Sequence, residues 1–75
     1  MTSRSPLLVD TRGMRCPWPA LRLARAMREE KAVLLVADDP RAPAEIAALA
    51  AQHGWTMEPQ SAAEATEERW LIRKG

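Results

Sequence analysis

Seventy-five residues, 47% hydrophobic and 28% charged, make one small globular domain. Such a chain buries about 60–65% of the surface its unfolded form exposes, which leaves no room for a large substrate cavity beside a core. Chemistry therefore belongs on the surface, favouring a carrier or binding module over a self-contained enzyme. The net charge of +1 argues against general nucleic-acid binding, and three Trp with no Phe or Tyr leave the core to Leu, Val, Ile and Met.

Residues 1–6 read as a flexible N-terminus. The apolar run that follows, Leu7-Leu8-Val9, is too short for a secretory signal, whose apolar centre needs about 7–15 residues. No run approaches the roughly 20 apolar residues of a membrane span. The chain reads as cytoplasmic, where thiols stay reduced. Leu7-Leu8-Val9 reads as a first strand, ended by the turn Asp10-Thr11-Arg12-Gly13.

A helix is predicted from Pro17 to Glu30, with Ala20, Leu23, Ala24 and Met27 on one face and Arg22, Arg25, Arg28 and Glu29 on the other. Leu21 breaks the pattern by lying among the arginines. Val33–Ala37 is a continuous apolar run, as expected of an interior strand, and Asp38-Asp39-Pro40 ends it. Residues 42–53 read as a second helix, with Ile46, Leu49 and Ala50 at core spacing, Pro43 suited to its first position and Gly54 as its stop. Trp55–Glu58 alternates like a strand, Pro59–Thr66 reads as a loop, and Glu68–Arg73 closes the chain as a strand with Trp70 and Ile72 on one face.

The order β-α-β-α-β-β predicts an α+β two-layer sandwich. Parallel pairing opens the mixed four-stranded sheet, an antiparallel hairpin closes it, and both helices cover one face. No repeat or second domain interrupts residues 1–75.

Charge is unevenly spread. Residues 1–31 hold seven basic residues against three acids, a net of +4, whereas residues 32–75 hold four against seven, a net of −3. The basic half contains the one cysteine, Cys16, which implies an acidic or anionic partner at that end. A single Cys forms no internal disulfide and no Cys-x-x-Cys pair, and with one His (His53) a Cys/His zinc site lacks ligands, so no metal is expected.

Cys16 precedes a helix whose first residues include Pro17 and Pro19, both suited to a first turn. That puts the sulfur at a helix N-terminus, where the dipole and free N–H groups favour an anion, with Arg12 and Arg15 adding positive charge. Such surroundings lower a thiol pKa from about 8.5 toward neutrality. The bland alternative is a small buried apolar residue, as many free cysteines are. Asp10 is expected to shape the Cys16 loop by accepting backbone N–H bonds. Gly13 supplies a turn conformation barred to other residues.

The stretch Leu8-Val9-Asp10-x-x-Gly13-Met14-x-Cys16-Pro17-x-Pro19 resembles the signature of the TusA/SirA-like sulfur-carrier family. Asp39-Pro40, Gly54 and the closing Trp70-Leu71-Ile72-Arg73-Lys74 extend the likeness over residues 7–74, while Pro43 departs from it at the start of the second helix. The resemblance implies the same βαβαββ sandwich. It implies that Cys16 accepts sulfane sulfur as a persulfide from a donor such as a cysteine desulfurase and passes it to an acceptor protein, in tRNA 2-thiouridine synthesis, molybdenum-cofactor assembly or sulfur oxidation. No organic cofactor is implied.

Around the sulfur, Arg12, Trp18, Leu21, Arg22, Arg25 and Arg28 form the expected docking surface, although an arginine row is as often only a solvated helix face. A Cys16–His53 pair would need a geometry that spacing does not supply; a helix C-terminal position suits His53 better. The competing reading is a small RNA-binding or regulatory module using the basic first helix, on a fold resembling the C-terminal domain of a translation initiation factor. It lacks aromatic stacking residues on its strands beyond Trp55 and Trp70. A stand-alone thiol hydrolase or peroxidase lacks an evident base and pocket.

Overall fold

The computed structural model describes residues 5–62, 64 and 66–75; Arg4 and most of the expected flexible N-terminus lie outside the described residues. Six elements follow in the predicted order: β1 (Leu7–Asp10), α1 (Trp18–Met27), β2 (Ala32–Ala37), α2 (Ala42–His53), β3 (Thr56–Gln60) and β4 (Glu68–Arg73). The strands form one mixed sheet in the order β1-β2-β4-β3. β1 runs parallel to β2, and β4 runs antiparallel to both of its neighbours.

Strand alternation decides which side chains meet the helices. In register, Val9 lies beside Leu35 and Leu35 beside Trp70, while Val33 lies beside Ile72. These residues are buried together with Leu23 and Met27 of α1 and Ile46 of α2. The opposite face carries the row Leu8, Leu34, Leu71 and Glu58. Leu8 is 58% exposed, and Glu58 pairs with Arg73 across the strands. Both helices therefore cover one side and leave the other open.

α1 is shorter than predicted. After Met27 the amides of Arg28 and Glu29 reach back only three residues, to Arg25 and Ala26, which tightens and ends the helix. α2 has its predicted bounds, but Pro43 is its second residue rather than its first. Its end is closed by Gly54 at φ +72°, with the Trp55 N–H on the Ala50 carbonyl at 2.9 Å.

The loop predicted from Pro59 begins too early, since Pro59 and Gln60 continue β3 opposite Trp70 and Arg69. β3 is an edge strand, and an edge tolerates a residue without N–H on its unpaired side. Among the described residues no helix is long and apolar enough to cross a membrane.

A domain of this length has about 4–11 kcal/mol of total stability, from roughly 0.05–0.15 kcal/mol per residue. Leu23→Ala, at a fully buried position, is expected to remove about 2–5 kcal/mol of it. Leu8→Ala on the open face should change stability by less than about 0.5 kcal/mol. Urea unfolding of both variants checks this; equal losses would mean that the open face is covered.

Candidate functional site

Because β1 and β2 are parallel neighbours, both end at the same edge of the sheet, and the segments leaving them meet there. The first fastening is Thr11, which is fully buried. Its N–H and hydroxyl both donate to the Val36 carbonyl, at 2.8 and 2.6 Å. The Met14 N–H then returns to the Thr11 carbonyl at 3.0 Å, making a turn through Gly13 at φ +82°, a conformation that L side chains rarely adopt.

Two carboxylates following β2 hold the rest of this loop. The Gly13 N–H donates to Asp38 Oδ1 at 2.9 Å, and the Cys16 N–H donates to Asp39 Oδ2 at 2.6 Å. The other Asp39 oxygen accepts the Arg41 N–H at 3.2 Å, just before α2. One side chain thus ties the cysteine turn to the start of α2. The Cys16 and Arg41 amides hold the Asp39 carboxyl below the usual carboxylate range, against an opposing effect of burial and with help from the charges of Arg41 and Arg15.

Asp10 accepts a backbone amide of this loop, as expected, but only at Arg12. Its carboxylate accepts the Arg12 backbone N–H at 3.0 Å and the Arg12 guanidinium at 2.7 Å, and these bonds hold its pKa down to about 2. The amides of Gly13 and Cys16 go to Asp38 and Asp39 instead. Arg12 also reaches the buried Glu67 at 3.3 Å and Glu64 at 3.9 Å. Its guanidinium is thereby occupied within the fold.

Cys16 stands before Pro17, with a cis Cys16–Pro17 peptide, at the entrance to α1. Its side chain is half-buried. The expectation of a lowered thiol pKa is not met. Burial raises it first, followed by the neighbouring carboxylates of Glu45 and Asp39, with the charge of Arg41 opposing them. The entrance to α1 also has fewer donors than a typical helix start. Pro19 has no N–H, and the Trp18 N–H donates to the Arg15 carbonyl at 2.9 Å. At neutral pH the resting group is therefore the thiol.

Pro19 is buried while Pro17 is exposed, and Trp18 and Leu21 are 59% and 51% exposed. The arginine row is split. Arg22 and Arg25 line a groove with Leu7, Leu8 and Val9 beside the free edge of β1. Arg28 borders a separate depression with Met27, His53, Trp55 and Lys74.

His53 lies at the far end of α2, stacked on Trp55 at 4.5 Å. Twelve helical residues span about 18 Å, which separates it from Cys16 at the helix start and rules out a pair. Trp70 is buried and Trp55 packs against the core, so neither offers a stacking platform to RNA. Asp38, Asp39, Arg41 and Glu45 are site residues that the sequence reading passed over. The available signal was acidic residues on the segment following a strand parallel to β1.

A single thiol at an open loop-to-helix junction of a two-layer α/β sandwich defines a small cysteine protein that works from its surface. The family model described as Sulfurtransferase TusA matches residues 8–74. The chain belongs to that family. Among solved structures it is similar to a SirA-like protein of Desulfitobacterium hafniense, with a TM-score of 0.75 at 19% identity over 92% of this chain and 99% of that one. That likeness concerns the fold.

Depressed carboxyl pKa values stabilise the folded state above the unfolded value, about 3.9 for Asp. That contribution disappears as pH falls through the folded value, about 2 for Asp10. Stability should therefore decline between about pH 4 and pH 2, and Asp10→Asn should make the decline shallower in acid titrations followed by circular dichroism. An unchanged slope would show that the Asp10–Arg12 pair contributes nothing to folding.

Proposed function

We propose that Cys16 is a persulfide site, and that the protein takes sulfane sulfur from a donor protein and hands it to an acceptor thiol. The observation that carries this reading is the clamp on the cysteine backbone. Asp39 fixes the Cys16 amide at 2.6 Å while the side chain stays half-exposed, in a chain of a sulfurtransferase family. A sulfur held at the surface can enter another protein's active site, which suits a carrier.

The exchange balances without an added oxidant. Cys16 Sγ attacks the outer sulfur of the donor's Cys–S–SH, a new S–S bond forms at Cys16, and the donor's S–S bond breaks. The donor cysteine regains a proton as Cys16 loses its own. Delivery is the same step, with an acceptor thiol attacking Cys16–S–SH. A cysteine desulfurase is the donor class proposed, and tRNA 2-thiouridine synthesis, molybdenum-cofactor assembly and sulfur oxidation are the routes such a relay serves. The setting proposed is the cytoplasm.

The docking surface proposed runs from the exposed start of α1, with Arg15, Trp18 and Leu21 beside Cys16, along the helix to Arg22 and Arg25. Arg12 is withdrawn from it by its partners, and Arg28 lies about 15 Å along the helix from Trp18, at 1.5 Å per residue.

Incubation of the wild-type protein with a cysteine desulfurase and cysteine should add one sulfur by intact mass. Cys16→Ser should gain none and should unfold at nearly the wild-type urea concentration. Sulfur on the serine variant, or none on the wild type, would refute the persulfide site.

Charge on α1 should act on encounter. Arg22→Glu with Arg25→Glu should slow transfer from the donor, yet leave reaction of Cys16 with iodoacetamide unchanged. Salt should slow the wild type, because the Debye length falls from about 10 Å at 0.1 M to about 3 Å at 1 M. In the double variant that salt effect should shrink. Equal rates and equal salt dependence would reduce these arginines to a solvated face.

A further inference from the structure

The sheet ends in two unlike edges. β3, the outer strand on one side, includes Pro59, and proline is one of the residues that blunt an edge against further pairing. β1, the outer strand on the other side, has no proline, and its one charge, on Asp10, is engaged by Arg12. Leu7 and Leu8 are 44% and 58% exposed.

The backbone of β1 is unpaired along that edge. Thr11 donates its N–H to Val36, and in a parallel pair the residues whose polar groups face the neighbour alternate with those whose groups face away. Val9 and Leu7 therefore turn toward β2 with Thr11. The N–H and carbonyl of Leu8 and of Asp10 turn outward, and nothing among the described residues takes them.

A groove runs beside this edge, with Leu7, Leu8 and Val9 on one side and Arg22, Arg25 and Ala26 of α1 on the other. Neither arginine has an ion pair among the described residues. Two acids also border the groove. Asp10 is held by Arg12, and Glu29 lies one turn beyond Arg25, at the end remote from Cys16. Positive charge without a partner is therefore concentrated toward Arg22.

We propose that the free edge of β1 takes up an extended segment of a partner protein as an added strand, with acidic side chains over Arg22 and Arg25 and apolar ones beside Leu8. The proposal rests on the docking surface described above and not on the persulfide chemistry. In this mode main-chain hydrogen bonds supply affinity and alternate side chains supply selectivity. Because β1 leads directly into the cysteine turn, a segment laid along it has a fixed position relative to the sulfur. A second copy of this chain suits the edge less well. Antiparallel pairing of two β1 strands sets the Arg22 to Arg25 stretches of two α1 helices against each other, like charge facing like.

The probe is the blocked peptide acetyl-Val-Glu-Val-Glu-Val-amide, titrated to millimolar concentration into the reduced wild-type protein and followed by backbone amide NMR. The amides of Leu8 and Asp10 should shift and exchange more slowly with solvent, while that of Thr11, already bonded to β2, should not. The same peptide with Lys in place of Glu should bind at least about tenfold more weakly, and Arg22→Glu with Arg25→Glu should reverse that preference. No shift at millimolar peptide, or equal binding of the two peptides, overturns the proposal. Shifts with Leu8 and Asp10 left unprotected also overturn it, since charge alone would then explain the contact. Protection of those amides without peptide, together with a dimer in sedimentation, would give the edge to a second copy and overturn it as well. Sulfur loading is not read in this titration, so a protein that binds the glutamate peptide but takes no sulfur from a desulfurase supports the strand site and refutes only the persulfide reading.

Discussion

A carboxylate shared between two backbone amides, those of Cys16 and Arg41, holds the site together. Without it the cysteine turn would be held only upstream, at Thr11 and by the Gly13 amide on Asp38, and by α1 at its far end. With it, the loop after β1 and the start of α2 become one unit, and the sulfur has a fixed position relative to both helices. A hydrogen bond to an ionised acceptor is stronger than a neutral one, and Asp39 is kept ionised by the bonds it makes. Position and charge state therefore support each other.

The same bridge joins the two charge halves of the chain. The basic first half supplies the cysteine, Arg15 and the arginines of α1; the acidic second half supplies Asp38, Asp39 and Glu45. A mean-field reading of the basic half anticipates a thiolate at neutral pH. The folded site does the opposite, because burial first, and then carboxylates more than twenty positions away, raise the thiol pKa. Positive charge is instead displaced outward along α1, to Arg22 and Arg25, on the docking face proposed above. Attraction at long range and a protonated thiol at short range are compatible demands on a relay that must meet partners quickly and stay inert between them.

How much of this was legible follows from which contacts are local. Element types and order could be read because each rests on its own periodicity: Leu23 with Met27 in α1, the unbroken Val33–Ala37 run, and Trp70 with Ile72 in β4. Cys16 at the entrance to α1 was legible for the same reason, since its neighbours in sequence define the junction. Pro59 misled because a proline ends most strands, and only the edge position of β3 makes it acceptable there. Asp38 and Asp39 were hidden because their partners, Gly13 and Cys16, are 25 and 23 positions away and are brought near by parallel pairing of β1 with β2. Asp10 drew attention as the acid nearest the cysteine in sequence, yet its carboxylate turns to Arg12. Spacing along α1 put Arg22, Arg25 and Arg28 in one row, but β1 and the end of α2 divide it between two surfaces.

The two prolines after Cys16 acquire a chemical meaning from this arrangement. A helix start rich in free N–H groups would hold a sulfur anion firmly, and a firmly held thiolate is a weak nucleophile because nucleophilicity falls with pKa. Here Pro19 contributes no donor and the Trp18 N–H is taken by the Arg15 carbonyl. The helix entrance positions the sulfur without trapping its anion. Exchange between persulfides is reversible only when neither sulfur is a much better leaving group than the other, and a site that stabilised its own thiolate strongly would take little sulfur and release it readily. Burial and the neighbouring carboxylates raise the thiol pKa above that of an ordinary cysteine, and the α1 entrance offers few donors to offset them. The result is a carrier able to accept sulfur in one encounter and surrender it in the next, with the direction decided by what each partner does with the product.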